Sequence, residues 1–175
     1  MEVIMRRIVT GHKNGKSVIV DDTEIPSTEI PSLDLMGGLK VTHFWETGGI
    51  PSIPLAEGDL KKNLTFKFPE PGEIRVGLAW LPPDEEVINS AREQNIDPYK
   101  LWNEMSGDDW GMHTTDTVDF DIILSGELWM ELDDGAEVHL KPGDCVVQNG
   151  TRHAWRNRGN ETCIMASFLI GAKRK

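Results

Sequence analysis

Short apolar runs broken by turn residues recur along most of this chain. Arg7-Ile-Val-Thr10 and Ser17-Val-Ile-Val20 flank Gly11-His-Lys-Asn-Gly15, a pattern that reads as strand, loop, strand. Asp21–Pro31 carries two prolines in an Ile-Pro-Ser echo, which predicts an extended arm, because proline cannot donate to a ladder. Gly38–Trp45 returns to strand composition, with Val41, His43 and Trp45 alternating onto one face. Leu64–Phe68 and Ile74–Leu81 then read as an antiparallel pair joined across Pro69-Glu-Pro-Gly72.

After Pro82-Pro83 the period changes. Asp84 is placed as a helix N-cap, with Glu85 and Glu86 in the first turn where the helix dipole favours negative charge. Val87, Ile88 and Ala91 follow at helical spacing, and Asp97-Pro98 restarts the signal through Tyr99, Trp102 and Met105. Helix is therefore expected between about 84 and 105, as an insertion packed on a β scaffold. From Val118 onward the strands are short and evenly punctuated. Asp134-Gly135 suits a type I′ hairpin, and Cys145–Gln148 and Thr162–Ile170 read as further strands. Many short strands at this interval predict a sandwich or closed barrel.

Composition narrows the partners. The 175 residues include 29 acidic against 18 basic side chains, a formal charge of -11, so nucleic acid and anionic membrane are excluded as partners by the long-range field. No stretch approaches the roughly 18 consecutive apolar residues of a membrane span. The N-terminus lacks the apolar run of a secretory signal, and a cytoplasmic location is the expectation. Cys145 and Cys163 both sit in apolar runs and read as buried free thiols in a reducing compartment. Phosphate-cradling glycine loops, C-x-x-C pairs and the G-x-S-x-G elbow are absent, so no nucleotide cofactor is expected.

Two stretches carry the chemistry. The first runs from Gly107 through His113, Thr115 and Asp119 to Gly126; the second runs from Gly143 through Gln148, Gly150 and His153 to Asn157. These resemble the paired motifs of the cupin family, G-x5-H-x-H-x3/4-E-x6-G and G-x5-P-x-G-x2-H-x3-N. Thr115 stands where the second His belongs, Asp119 where the Glu belongs, and Gln148 where the proline belongs. The second motif is also one residue shorter after Gly143. The resemblance implies an all-β double-stranded β-helix, a jelly-roll barrel, over residues 64–171 with the helical insert about 84–105. Residues 1–63 form an N-terminal arm with extra strands, in a single domain of 1–175.

Strand alternation places His113, Thr115, Thr117, Asp119 and Asp121 on one face, and Val118, Phe120, Ile122 and Leu124 on the other. The pattern alone permits either face to be the inner one; the resemblance points the polar face inward. His113, His153 and Asp119 would then converge as catalytic groups. As two imidazoles and a carboxylate they are also the donor set that accepts iron, manganese, zinc or nickel. Against a metal stand the neutral hydroxyl of Thr115 and the short reach of Asp119. Without a metal, a His–Asp pair still serves as general acid or base near neutral pH.

Thr115, Thr117, Asp121, Gln148, Trp155 and Arg152 are the candidate substrate contacts, with Arg156 beside them. His12, His43 and His139 fit no motif and are assigned local roles. The resulting expectation is an enzyme acting on a small carbonyl- or carboxylate-bearing molecule, metal-assisted or metal-free. Its rival is a binding or sensing barrel without turnover. The extended arm and the outward apolar face of Val118–Leu124 point to a homodimer.

Overall fold

The computed structural model describes residues 4–26, 32–34, 38–54, 67–97 and 111–175. Eleven strands and one α-helix occur among them. Strands β1 (Ile4–Lys13) and β2 (Lys16–Pro26) form an antiparallel hairpin. Its connection is only Asn14-Gly15, both at positive φ (52° and 74°), so the loop expected over Gly11–Gly15 shrinks to a two-residue turn. Asn-Gly is the dipeptide that tolerates this backbone, and the ladder therefore continues through Gly11 and His12.

The main sheet has six strands in the order β3-β4-β5-β11-β6-β9. These are β3 (Ser32–Asp34), β4 (Lys40–Thr47), β5 (Ile74–Leu81), β6 (Thr117–Ser125), β9 (Cys145–Gln148) and β11 (Cys163–Gly171). The smaller sheet is β10-β7-β8, from β7 (Leu128–Glu131), β8 (Glu137–Leu140) and β10 (Ala154–Arg156). From β6 onward the chain crosses between these sheets four times, and the architecture is the all-β double-stranded β-helix that the motifs implied. No helix among the described residues is long and apolar enough to cross a membrane.

Two expectations change here, and one falls partly outside the described residues. Strand β5 is flanked by β4 on one side and β11 on the other, so both its edges are filled and Lys67-Phe68 do not pair with it; residues 64–66 lie outside the described set. Helix α1 spans Asp84–Glu93, and the second helical signal, at 98–105, also lies outside the described residues. Asp84 makes no side-chain cap. Its carboxylate instead accepts the Asn157 N–H at 3.1 Å, while the Asp84 N–H donates to the Asn157 carbonyl at 2.8 Å, which ties the helix start to the strand end after β10.

The hairpin after β7 does place Asp134 and Gly135 at positive φ, 57° and 71°. The dry core gathers Ala79, Ile123, Leu128, Leu140, Cys163 and Met165 between the two sheets at one end of the barrel. Cys163 is buried there, and that burial, with Glu161 adding to it, pushes its thiol up to about 11. Cys145 is exposed, contrary to expectation, because its side of β9 faces outward.

Candidate functional site

Strand β6 decides where the polar residues go. Thr117, Asp119, Asp121 and Ile123 alternate inward and are buried. Val118, Phe120, Ile122 and Leu124 face out, with Phe120 and Leu124 exposed. The inner row changes from polar to apolar at Ile123, where the cavity gives way to the core.

His113 precedes β6 and His153 precedes β10. An isolated antiparallel bridge joins them: each backbone N–H donates to the other's carbonyl at 2.9 Å. Their rings follow, with centroids 4.4 Å apart and planes inclined by 51°. Both line a cavity of about 430 Å³. Thr115, Asp119, Asp121, Ser167 and His43 supply its polar lining; Leu39, Val41, Leu81, Val87 and Leu169 supply apolar lining. Trp155 meets the His153 ring edge-on at 5.5 Å.

Burial sets the protonation states, because a charge taken from water without full compensation is costly. Asp119 is pushed up to about 6 by burial, the Thr117 hydroxyl opposing. Asp121 is pushed up to about 7 by burial, with Asp119 adding to the rise and Ser167 opposing it. His153 is driven down to about 4 by burial and then by the neighbouring His113, against the Thr151 carbonyl. Burial followed by the Arg75 guanidinium does the same to His43. Near neutral pH the cavity therefore holds His43 and His153 as neutral imidazoles beside carboxyls that still retain protons in part.

The expected substrate contacts divide into three groups. Thr115, Asp121 and Trp155 line the cavity. Thr117 and Gln148 stand behind it: the Thr115 and Thr117 hydroxyls bond each other at 2.7 Å, and Gln148 Nε2 lies 2.7 Å from His153 Nδ1. Arg152 does not line the cavity. Its guanidinium donates to Asp133 at 2.7 Å on the outer surface, whereas Arg156, four residues on, lines the cavity and pairs with Glu131 at 2.7 Å. His139 is likewise outside, stacked on Trp129 at 4.1 Å and bonded to Glu127.

Two inner residues were passed over in the sequence. His43 belongs to no motif, and an irregularity between His43 and Trp45 breaks the alternation that would have paired them on one face. The strand can press close there because its partner is Gly77, where a Cβ would sit 2.0 Å from the Thr42 carbonyl oxygen. Ser167 donates to Asp121 Oδ1 at 2.6 Å. It is the one hydroxyl within the apolar run of β11, a signal that was legible.

His113, His153 and Asp119 are the residues that would hold a metal, and their arrangement does not fit one. Among the described residues no three His, Cys, Asp or Glu side chains are grouped to hold a metal ion. Thr115 supplies a hydroxyl already spent on Thr117, and His153 Nδ1 is engaged by Gln148. Asp119 Oδ1 is buried with no hydrogen-bond partner among the described residues.

Residues 103–170 match the family model described as a cupin domain. Among curated proteins, phomopsin biosynthesis cluster protein C′ of Diaporthe leptostromiformis is 47% identical over 49 residues, 28% of this chain and 26% of that protein. Oryzines biosynthesis cluster protein J of Aspergillus oryzae is 49% identical over 57 residues, 33% of this chain and 32% of that protein. The matched segments thus span between a quarter and a third of these relatives' length. Among solved structures, a putative ethanolamine utilization protein Q of Salmonella typhimurium LT2 aligns over 98% of this chain and 99% of its own, at 12% identity and TM-score 0.46.

Proposed function

We propose, from a chain whose residues 103–170 form a cupin domain, that this barrel is a metal-free acid–base catalyst for a small carbonyl compound, with His113 and His153 as the reacting pair. The observation that carries the reading is the pair itself: two imidazoles 4.4 Å apart on the wall of a cavity of about 430 Å³. That volume suits a small organic ligand. The apolar lining suits its hydrocarbon part, and the buried carboxyls of Asp119 and Asp121 suit its oxygen.

The chemistry is proton transfer. One neutral imidazole takes a proton from the carbon beside the carbonyl, and the carbonyl oxygen takes a hydrogen bond from the other ring or from a protonated carboxyl. In an α-hydroxy carbonyl compound the carbonyl oxygen is protonated as the α-hydroxyl loses its proton, and returning the abstracted proton to the former carbonyl carbon yields an isomer. Where a hydroxyl stands one carbon further on, a carboxyl proton lets it leave as water, and the outcome is dehydration. Neither course consumes an oxidant or a reductant. The relatives named for biosynthesis clusters are consistent with a small organic substrate.

The test is solvent-deuterium incorporation, followed by NMR, into a panel of enolisable ketones, aldehydes and β-hydroxy acids, using protein stripped with chelator. Exchange that survives stripping and is lost in His113→Asn supports the reading. Exchange that appears only when a transition metal is restored overturns it.

For partners, we infer that a second copy covers the outer face of the six-stranded sheet. Val147, Phe120 and Phe168 lie in one cross-strand row and are 53%, 38% and 39% exposed, with Leu124 exposed nearby. A contiguous apolar row on a sheet face is the kind of surface that self-association covers. The net charge of -11 disfavours polyanions as the alternative occupant.

A further inference from the structure

We propose that Gln148 is a positioning residue that sets the tautomer of His153, so that the two cavity imidazoles enter the reaction with opposite roles. The consequence for catalysis rests on the acid–base reading above; the tautomer itself rests on hydrogen bonding alone.

Gln148 ends β9 and is buried, and the turn after it aims two backbone groups back at its amide. The Gly150 N–H donates to Oε1, made possible by the φ of +60° at Gly150. A backbone N–H can only donate, so the atom facing it is the oxygen. Nε2 then faces the Thr151 carbonyl, 3.0 Å away, which can only accept. Two independent main-chain groups thus agree on which end of the amide is which.

The same Nε2 lies 2.7 Å from His153 Nδ1. An amide nitrogen of this kind carries donors only, so Nδ1 must accept, and the one proton of the neutral ring sits on Nε2. The Thr151 carbonyl is also 3.0 Å from Nδ1 and by itself would favour the opposite tautomer. That choice would aim two N–H groups at each other across the shorter contact, while the Thr151 oxygen already receives the Gln148 amide. The shorter contact decides.

His113 is held the other way. Its Nδ1 lies 2.9 Å from the Gly111 carbonyl, an acceptor, so Nδ1 carries the proton and Nε2 keeps its lone pair. His113 is then the proton acceptor and His153 the N–H donor to the substrate oxygen. The poor fit to a cation has the same cause, since a His153 ring protonated at Nε2 and occupied at Nδ1 offers no lone pair. A proline at position 148, as in the resembled motif, makes none of these contacts.

The experiment is long-range proton–nitrogen correlation NMR on nitrogen-15-labelled full-length protein near neutral pH, with no substrate added. Expected are an Nε2–H ring for His153 and an Nδ1–H ring for His113. An Nδ1–H ring at His153, or the same tautomer at both positions, overturns the proposal. In Gln148→Glu and Gln148→Leu the donor to Nδ1 is gone, so the His153 proton moves to Nδ1 toward Thr151. A His153 that stays Nε2–H in either folded variant also overturns it, and if neither variant folds the wild-type spectrum decides. Because no turnover is read, failure here is distinguishable from failure of the proposed activity.

Discussion

His113 and His153, forty residues apart in the chain, exchange two backbone hydrogen bonds of 2.9 Å and thereby hold their rings 4.4 Å apart. The link is main chain, so it survives replacement of either side chain. His113→Asn is therefore expected to leave the fold intact by circular dichroism while slowing deuterium exchange by about 10²-fold or more, the range of a lost general base. An unchanged rate in a folded variant would remove His113 from the chemistry.

The four buried titrating groups of the cavity pull stability in opposite directions with pH. His43 and His153 fall from 6.5 to about 4 on folding, so the stability they allow is present above about 6.5 and lost as pH drops toward 4. Asp119 and Asp121 rise from 3.8 to about 6 and about 7, so the stability they give is present below about 4 and lost as pH climbs through those values. Between about pH 4.5 and about pH 5.5 two terms of each sign nearly cancel. In that window Asp121→Asn removes one opposing term and is expected to make stability rise with pH by about 1.4 kcal/mol per unit relative to wild type. Urea midpoints at the two pH values measure this. An equal slope in both proteins would mean that Asp121 keeps its ordinary acidity.

Arg75, on β5, is the most buried charged side chain among the described residues, 1% exposed. It bonds Glu73 at 2.7 Å and the Thr47 and Ile74 carbonyls at 3.3 and 3.1 Å. It also faces Glu46 at 3.3 Å, an ion-pair contact without hydrogen-bond geometry. Arg75→Met strands both carboxylates at the edge of the protein interior and is expected to cost about 3–5 kcal/mol in urea unfolding. Lysine is expected to recover only part of that, because one ammonium cannot reproduce the planar fork. A loss below about 1 kcal/mol would show that the glutamates find water instead.

Phe120→Glu places a charge in the middle of the exposed row shared with Val147 and Phe168. If two copies meet there, light scattering at micromolar concentration is expected to change from dimer mass to monomer mass without loss of the barrel. A wild-type protein that is already monomeric would overturn the inference about the second copy.

Much of the barrel was legible because strand alternation is a strict period of two. It placed Asp119 and Asp121 on the face opposite Phe120 and Leu124, and the two motifs told which face was inside. Local rules failed where a neighbour decided the outcome. Asp84 has the chemistry of a cap, yet its carboxylate is taken by Asn157, which comes from 73 residues away. Cys145 looked buried in an apolar run, but its side of an edge strand meets solvent. His43 shares the cavity side of β4 with Val41, as alternation allows, but it belongs to no motif, and only the folded structure brings it to the site.

By itself, then, the order of residues determined the β-rich architecture and the split of β6 into a polar and an apolar face, through periodicity and residue type, while the resemblance to the cupin motifs pointed the polar face inward and singled out the two histidines as candidates. Only the folded structure decided that Arg152 lies outside while Arg156 lies inside, that Thr115 spends its hydroxyl on Thr117, and that Gln148 turns its amide to His153. The reason is physical: a hydrogen bond requires donor and acceptor within about 3 Å at a favourable angle, and residues distant in sequence reach that range only when the sheets close.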